Sequence, residues 1–167
     1  MLVTSKEANK LLQQLQTEEE NILDKESKVC TFLAAVGEDV ESCRPAYDYE
    51  KTQAQLKEIR EKIIKVKHSI NRFNTETVVG GINKTIDEML VYIPLLTSQK
   101  NRLGNMRNKM PKARELFNMR STIIDYRYTN YDVNKVNDDY NEVCDELARA
   151  QIALDKVNVT NKFEIDI

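Results

Sequence analysis

Only one histidine, His68, occurs in 167 residues, and that scarcity removes most metal chemistry at the outset. A carboxylate-bridged di-iron bundle needs a Glu-x-x-His pair on each of two helices. Here Lys65 stands three residues before His68, and no second histidine exists. The three cysteines, Cys30, Cys43 and Cys144, form no CxxC pair and share no ligand spacing with His68, so no zinc site is expected. Their odd number and wide separation predict reduced, partly buried thiols in a cytoplasmic protein. Glycine is almost as scarce, with four in the chain, and the Gly80-Gly81 pair matches no phosphate-binding loop. Nothing places Cys144 beside His68, and neighbouring carboxylates such as Asp138 and Asp139 point in different directions on a helix. The expectation is a protein without catalytic residues, metal or cofactor.

Long hydrophobic runs are also missing. The longest, residues 89–96, is interrupted by Tyr92 and Pro94 and falls far short of the about 20 residues needed to cross a bilayer. No basic segment followed by an apolar one opens the chain, so no secretory leader is expected. The sequons at Asn83 and Asn158 would matter only in a secretory setting. With 41% hydrophobic and 31% charged residues, the chain is too apolar for disorder and too charged for a membrane protein. Its length fits one domain over residues 1–167.

What is present is heptad periodicity. Tyr49, Leu56, Ile63 and Ile70 fall seven residues apart, with Thr52, Ile59, Val66 and Phe73 filling the offset. Val133, Tyr140, Leu147 and Leu154 repeat the pattern, with Val136, Val143, Ala150 and Val157 between them. Such ladders predict long helices burying one seam against partners. A third ladder, Ala8, Leu15, Ile22 and Val29, follows a capping box at Thr4 and Glu7, but Glu18 and Lys25 interrupt its alternate positions, so its second half is expected to be more solvated.

The resulting expectation is an all-α fold of four long heptad-patterned helices, over residues 5–30, 48–73, 84–112 and 132–158. They would form a mainly antiparallel bundle or coiled coil. Asp48 and Asn83 are the expected N-caps of the second and third helices, and Asn130 or Asp132 that of the last. Pro94 is expected to kink the third helix. Small β additions are expected near residues 75–82, 122–129 and 160–165, and a loop over residues 37–45. Arg60, Lys62 and Lys67 beside one ladder oppose Asp139 and Glu146 beside the other, which predicts that those two helices lie near each other.

Net charge is only -2, yet it is unevenly spread. The middle of the chain is basic between acidic flanks, and within it Lys100, Arg102, Arg107, Lys109, Lys112, Arg114 and Arg120 are opposed only by Glu115. Interleaved with Phe117, Tyr126, Tyr128 and Tyr131, this stretch can track phosphates and stack bases, with Arg107, Lys109, Lys112, Arg114, Arg120 and Arg127 as the binding patch. The competing reading, favoured by the near-neutral total, is that acidic helices of the same or a second subunit cover it. A polar turn at Asn71, Arg72, Asn74 and Thr75 is read as helix capping, with ligand binding as the alternative.

From Tyr49 to Thr160 the layout resembles the septicolysin-like family of small bacterial helical proteins. The resemblance rests on Ile70-Asn71-Arg72-Phe73-Asn74-Thr75, the glycine turn before Asn83, Tyr131-Asp132-Val133 leading into the last helix, and Asn158-Val159-Thr160 closing it. It implies a helical protein with no catalytic residues to carry over. The family name suggests a cytolysin, but the sequence offers no amphipathic strand pair of membrane length, and no membrane partner is expected. The leading functional expectation is a cytoplasmic, homo-oligomeric structural or interaction protein with protein partners of unknown identity. Nucleic-acid binding comes next, and membrane lysis a distant third.

Overall fold

The computed structural model describes residues 1–115 and 125–167. Among these the chain is mostly helical, with five helices and three antiparallel strand pairs. Its contacts divide into two compact units, Met1–Glu76 with Val157–Ile167, and Thr77–Lys156.

The first unit is built on helices α1 (Ser5–Val29) and α3 (Tyr49–Glu76). Thr4 starts α1 through the expected capping box: its hydroxyl accepts from the Glu7 amide, and Glu7 accepts from the Thr4 backbone at 2.8 Å. Asp48 starts α3 by accepting the Lys51 amide at 3.0 Å. Glu26 near the end of α1 meets Gln53 near the start of α3, and Glu19 one heptad earlier meets Arg60 one heptad later, so the two helices run antiparallel. Their core gathers Ala8 and Leu15 against Ile59, Ile63, Val66 and Ile70.

The ladder of α3 is buried from Leu56 to Phe73, whereas its first rung, Tyr49, is exposed. In α1 the interrupted half is solvated as expected: Glu18 and Lys25 are exposed and Ile22 is half-buried. Two strands that lie far apart in sequence close this unit. β1 (Leu2–Thr4) pairs with β6 (Lys162–Glu164), placing Val3 opposite Phe163, whose ring stacks on Phe73 at 4.4 Å.

The loop predicted over residues 37–45 contains a four-residue helix, α2 (Val40–Cys43), capped by Asp39. Of the three cysteines, Cys43 and Cys144 are partly buried and Cys30 is exposed; all are free. Arg60 pairs with Glu19 of α1 at 2.6 Å, and Lys62 pairs with Glu58 on its own helix.

In the second unit, β2 (Val78–Val79) and β3 (Lys84–Thr85) form a hairpin whose tight turn requires left-handed backbone at Gly81 and Asn83. Asn83 is therefore a turn residue, and the cap of α4 (Ile86–Arg107) is Thr85, in a second capping box with Glu88. The helix runs through Pro94 without ending. It stops at Arg107, short of the predicted residue 112, because Pro111 and the strand after it take the chain into extended backbone.

That strand, β4 (Lys112–Arg114), pairs with β5 (Tyr126–Tyr128). Asp132 caps α5 (Val133–Thr160), accepting the Asn134 amide at 2.8 Å. Tyr92 of α4 donates its hydroxyl to Glu146 of α5. Farther along, the ring of Tyr140 packs against Gly104, where an added Cβ would lie 3.3 Å from it. Residues later in α4 thus meet earlier ones in α5, and this pair also runs antiparallel. Within α5, Val136, Val143, Leu147 and Ala150 are buried, while Tyr140 is only half-buried.

Candidate functional site

The β4–β5 hairpin organises most of the basic patch. Register pairs Lys112 with Tyr128, Ala113 with Arg127 and Arg114 with Tyr126. Cross-strand partners share a face, and successive residues alternate faces. Lys112, Arg114, Tyr126 and Tyr128 therefore occupy one side of the ribbon, and Ala113 and Arg127 the other. The Lys112 ammonium lies 4.2 Å from the Tyr126 ring centre and 5.6 Å from that of Tyr128, and both rings remain exposed. On the opposite side the Arg127 guanidinium grips Glu115 at 2.7 and 2.8 Å.

The ladder continues at both ends. The Glu115 amide donates to the Asp125 carbonyl, and the Thr129 amide to that of Pro111.

Beside the Ala113–Arg127 side, the end of α4 and the lead-in to α5 border an open surface cavity of about 540 Å3. Arg102, Asn105 and Met106 line it from one face of α4, and Lys109 from just beyond the helix end. Met110, Ala113 and the run from Arg127 to Tyr131 complete the wall, so Tyr128 of the outer ribbon face also borders it. Among the described residues its lining carries three cations and no carboxylate, on a chain whose net charge is -2.

The six patch residues therefore fall in several places. Lys109 and Arg127 line the cavity, while Lys112 and Arg114 lie on the outer ribbon face. Arg107 caps the ring of Tyr140 at 4.2 Å, a packing role. Arg120 lies outside the described residues, as do Phe117 and residues 122–124 of the expected extended segment. Arg102, a cavity residue, was not among the six, although its seven-residue separation from Lys109 was visible in the sequence.

The polar turn at Asn71, Arg72, Asn74 and Thr75 is not a turn. All four residues belong to the last turns of α3, which continues to Glu76. The Thr75 hydroxyl donates back to the carbonyls of Asn71 and Arg72 at 3.1 and 3.0 Å, so the side chain that would have opened the backbone closes the helix instead. Arg72 shares a shallow surface depression with Lys65, His68 and Glu164, and His68 is exposed on the outer face.

A second surface lies on α4 itself. Ile86, Met89, Leu96 and Leu103 are buried, but Leu90, Val91 and Leu95 are 53%, 62% and 63% exposed, and Pro94 beside them is also exposed. Spacings of one, four and five residues put these four on the side of the helix away from the buried face.

Two tyrosines act as hydrogen-bond donors to acids. Tyr47 donates to Glu26 at 2.5 Å, and this bond, with burial, pushes its phenol up to about 12. Tyr92 is raised in the same direction by its bond to Glu146 and by burial. No group of three or more His, Cys, Asp or Glu able to hold a metal occurs among the described residues, and none of their helices is long and apolar enough to cross a membrane.

No family model matches the chain, and no curated protein does. Among solved structures, a functionally unknown conserved protein from Corynebacterium diphtheriae is similar, with a TM-score of 0.59 and 13% identity over 98% of this chain and 100% of that one. At that identity the likeness is one of fold.

Proposed function

We propose that this is a non-enzymatic structural and interaction protein that self-associates in the cytoplasm, its heptad helices forming a bundle of coiled-coil type. The septicolysin-like resemblance belongs to the same reading. Its main support is the exposed stripe Leu90, Val91, Pro94 and Leu95 on α4. A water-exposed apolar strip on a helix already buried along its other side is the expected mark of a docking face. A second copy offers the same strip, and a two-fold axis would bury both at once. Light scattering on the purified chain at micromolar concentration should give a mass of two or more chains, and a monomer would remove the self-association reading.

A second reading, nucleic-acid binding, is favoured by one observation: two exposed tyrosines and two cations share the outer face of the β4–β5 ribbon. Exposed rings stack on bases and cations meet phosphates. A gel shift with a single-stranded oligonucleotide should show binding that weakens steeply with salt and is lost when Lys112 and Arg114 are both changed to glutamate. Binding that ignores salt or this double change would dismiss it.

A further inference from the structure

The cavity beside α4 shares no residue with the apolar stripe and only Tyr128 with the outer ribbon face. Arg127 is held in place by Glu115, so its charge is partly offset. Arg102 and Lys109 line the cavity as further cations. A helix C-terminus ordinarily repels anions through its free carbonyls. Here the Met106 carbonyl is already engaged, by the Lys109 amide at 3.1 Å and the Tyr131 hydroxyl at 2.8 Å. The thioether of Met106, 3.8 Å from the Arg102 guanidinium, the exposed Met110 and the ring of Tyr131 supply polarizable surface that favours contact with a flat ring. Asn105 and Asn130 add amides that can both donate to and accept from such a ring. At about 540 Å3 the space is within the range of small-molecule sites.

We propose that this cavity binds a small organic phosphate carrying a planar heteroaromatic ring, of the nucleoside monophosphate class. Arg102 and Lys109 take the phosphate, and Met106, Met110 and Tyr131 take the ring. Guanidinium and ammonium groups both suit phosphate, the first by paired hydrogen bonds and the second as a point charge. The site goes beyond the scaffold reading and does not depend on it, because none of its lining residues belongs to the stripe on α4.

Isothermal titration of the full chain with adenosine 5′-monophosphate tests it, with adenosine and inorganic phosphate as separate probes. The expected result is one site per chain, with the nucleotide binding more tightly than either fragment. Arg102→Glu and Lys109→Glu should each weaken it at least tenfold, about 1.4 kcal/mol, with unchanged circular dichroism. Arg114→Glu, which like its register partner Tyr126 lies outside the lining, should leave the affinity within twofold. Absence of nucleotide binding, equal binding of bare phosphate, or affinity unchanged in both cavity variants would each overturn the assignment. So would binding confined to oligonucleotides.

Discussion

The two units meet the same problem, how to pair antiparallel helices, by different means. In the first, α1 and α3 interlock through aliphatic side chains, with Val66 and Ala8 fully buried and Glu19–Arg60 bridging the rim. In the second, the visible links between α4 and α5 are long polar or aromatic arms: Tyr92 to Glu146, and Tyr140 against Gly104 under Arg107. The first arrangement leaves only scattered apolar residues outside, Leu23 on α1 and Tyr49 and Ile64 on α3. The second leaves Leu90, Val91 and Leu95 outside and collects cations around a cavity. Both units bury an apolar core, around Ile59, Val66 and Ile70 in one and around Met89, Leu96 and Val143 in the other, and the contiguous exposed apolar stripe lies on the second.

Substitutions that exchange burial for charge should separate the two most sharply. Val66→Asp would place a carboxylate among Ile63, Ile70 and Ala8, and should cost more than about 4 kcal/mol or abolish folding, as read by urea denaturation. Leu56→Ala, which removes a side chain only 2% exposed, should cost about 2–5 kcal/mol. Thr85→Ala removes the cap of α4 and should cost about 1 kcal/mol, with Thr85→Ser restoring most of it. Leu95→Asp should move stability by no more than about 0.5 kcal/mol, yet shift the light-scattering mass to a monomer. A large stability loss at Leu95 would erase the contrast.

The smallest expected effect is alkaline. The folded phenol of Tyr47 titrates at about 12, against an ordinary value of 10.0, so the Glu26 bond favours the protonated, folded state. That contribution is complete below pH 10 and is lost as pH rises toward 12. Denaturation curves of Tyr47→Phe should lack this part of the alkaline decline. An unchanged slope in the variant would show that the bond does not couple to folding.

How much of this was legible depends on the range of the interaction. The α3 ladder could be read because each rung from Leu56 to Phe73 reports the same buried stripe seven residues later. β1 could not, since three residues carry little period and their partners stand at the far end of the chain. Lys112-Ala113-Arg114 looks helical by composition and becomes a strand only through pairing with Tyr126–Tyr128, although Pro111 already marked the stop. That unanticipated strand decides the site: strand alternation sends Lys112 and Arg114 to one face and leaves Arg127 on the other, a division that a list of basic residues does not contain. Residues 89–96 were read as the longest apolar run, but an apolar run on a helix covers two sides, and only packing reveals which side stays uncovered.

The β1–β6 ribbon also has a mechanical meaning. The amide of Ile165 donates to the carbonyl of Met1 at 2.9 Å, beside the antiparallel register of Leu2 with Glu164. A tether at residue 1 and another at residue 165 would leave from the same spot and peel the ribbon apart one rung at a time, like a zipper, rather than shear it. The same closeness makes a short peptide joining these two points, with new ends cut elsewhere, a low-strain rearrangement. Optical-tweezers extension between them should show an early, low-force step before the helices of the first unit separate.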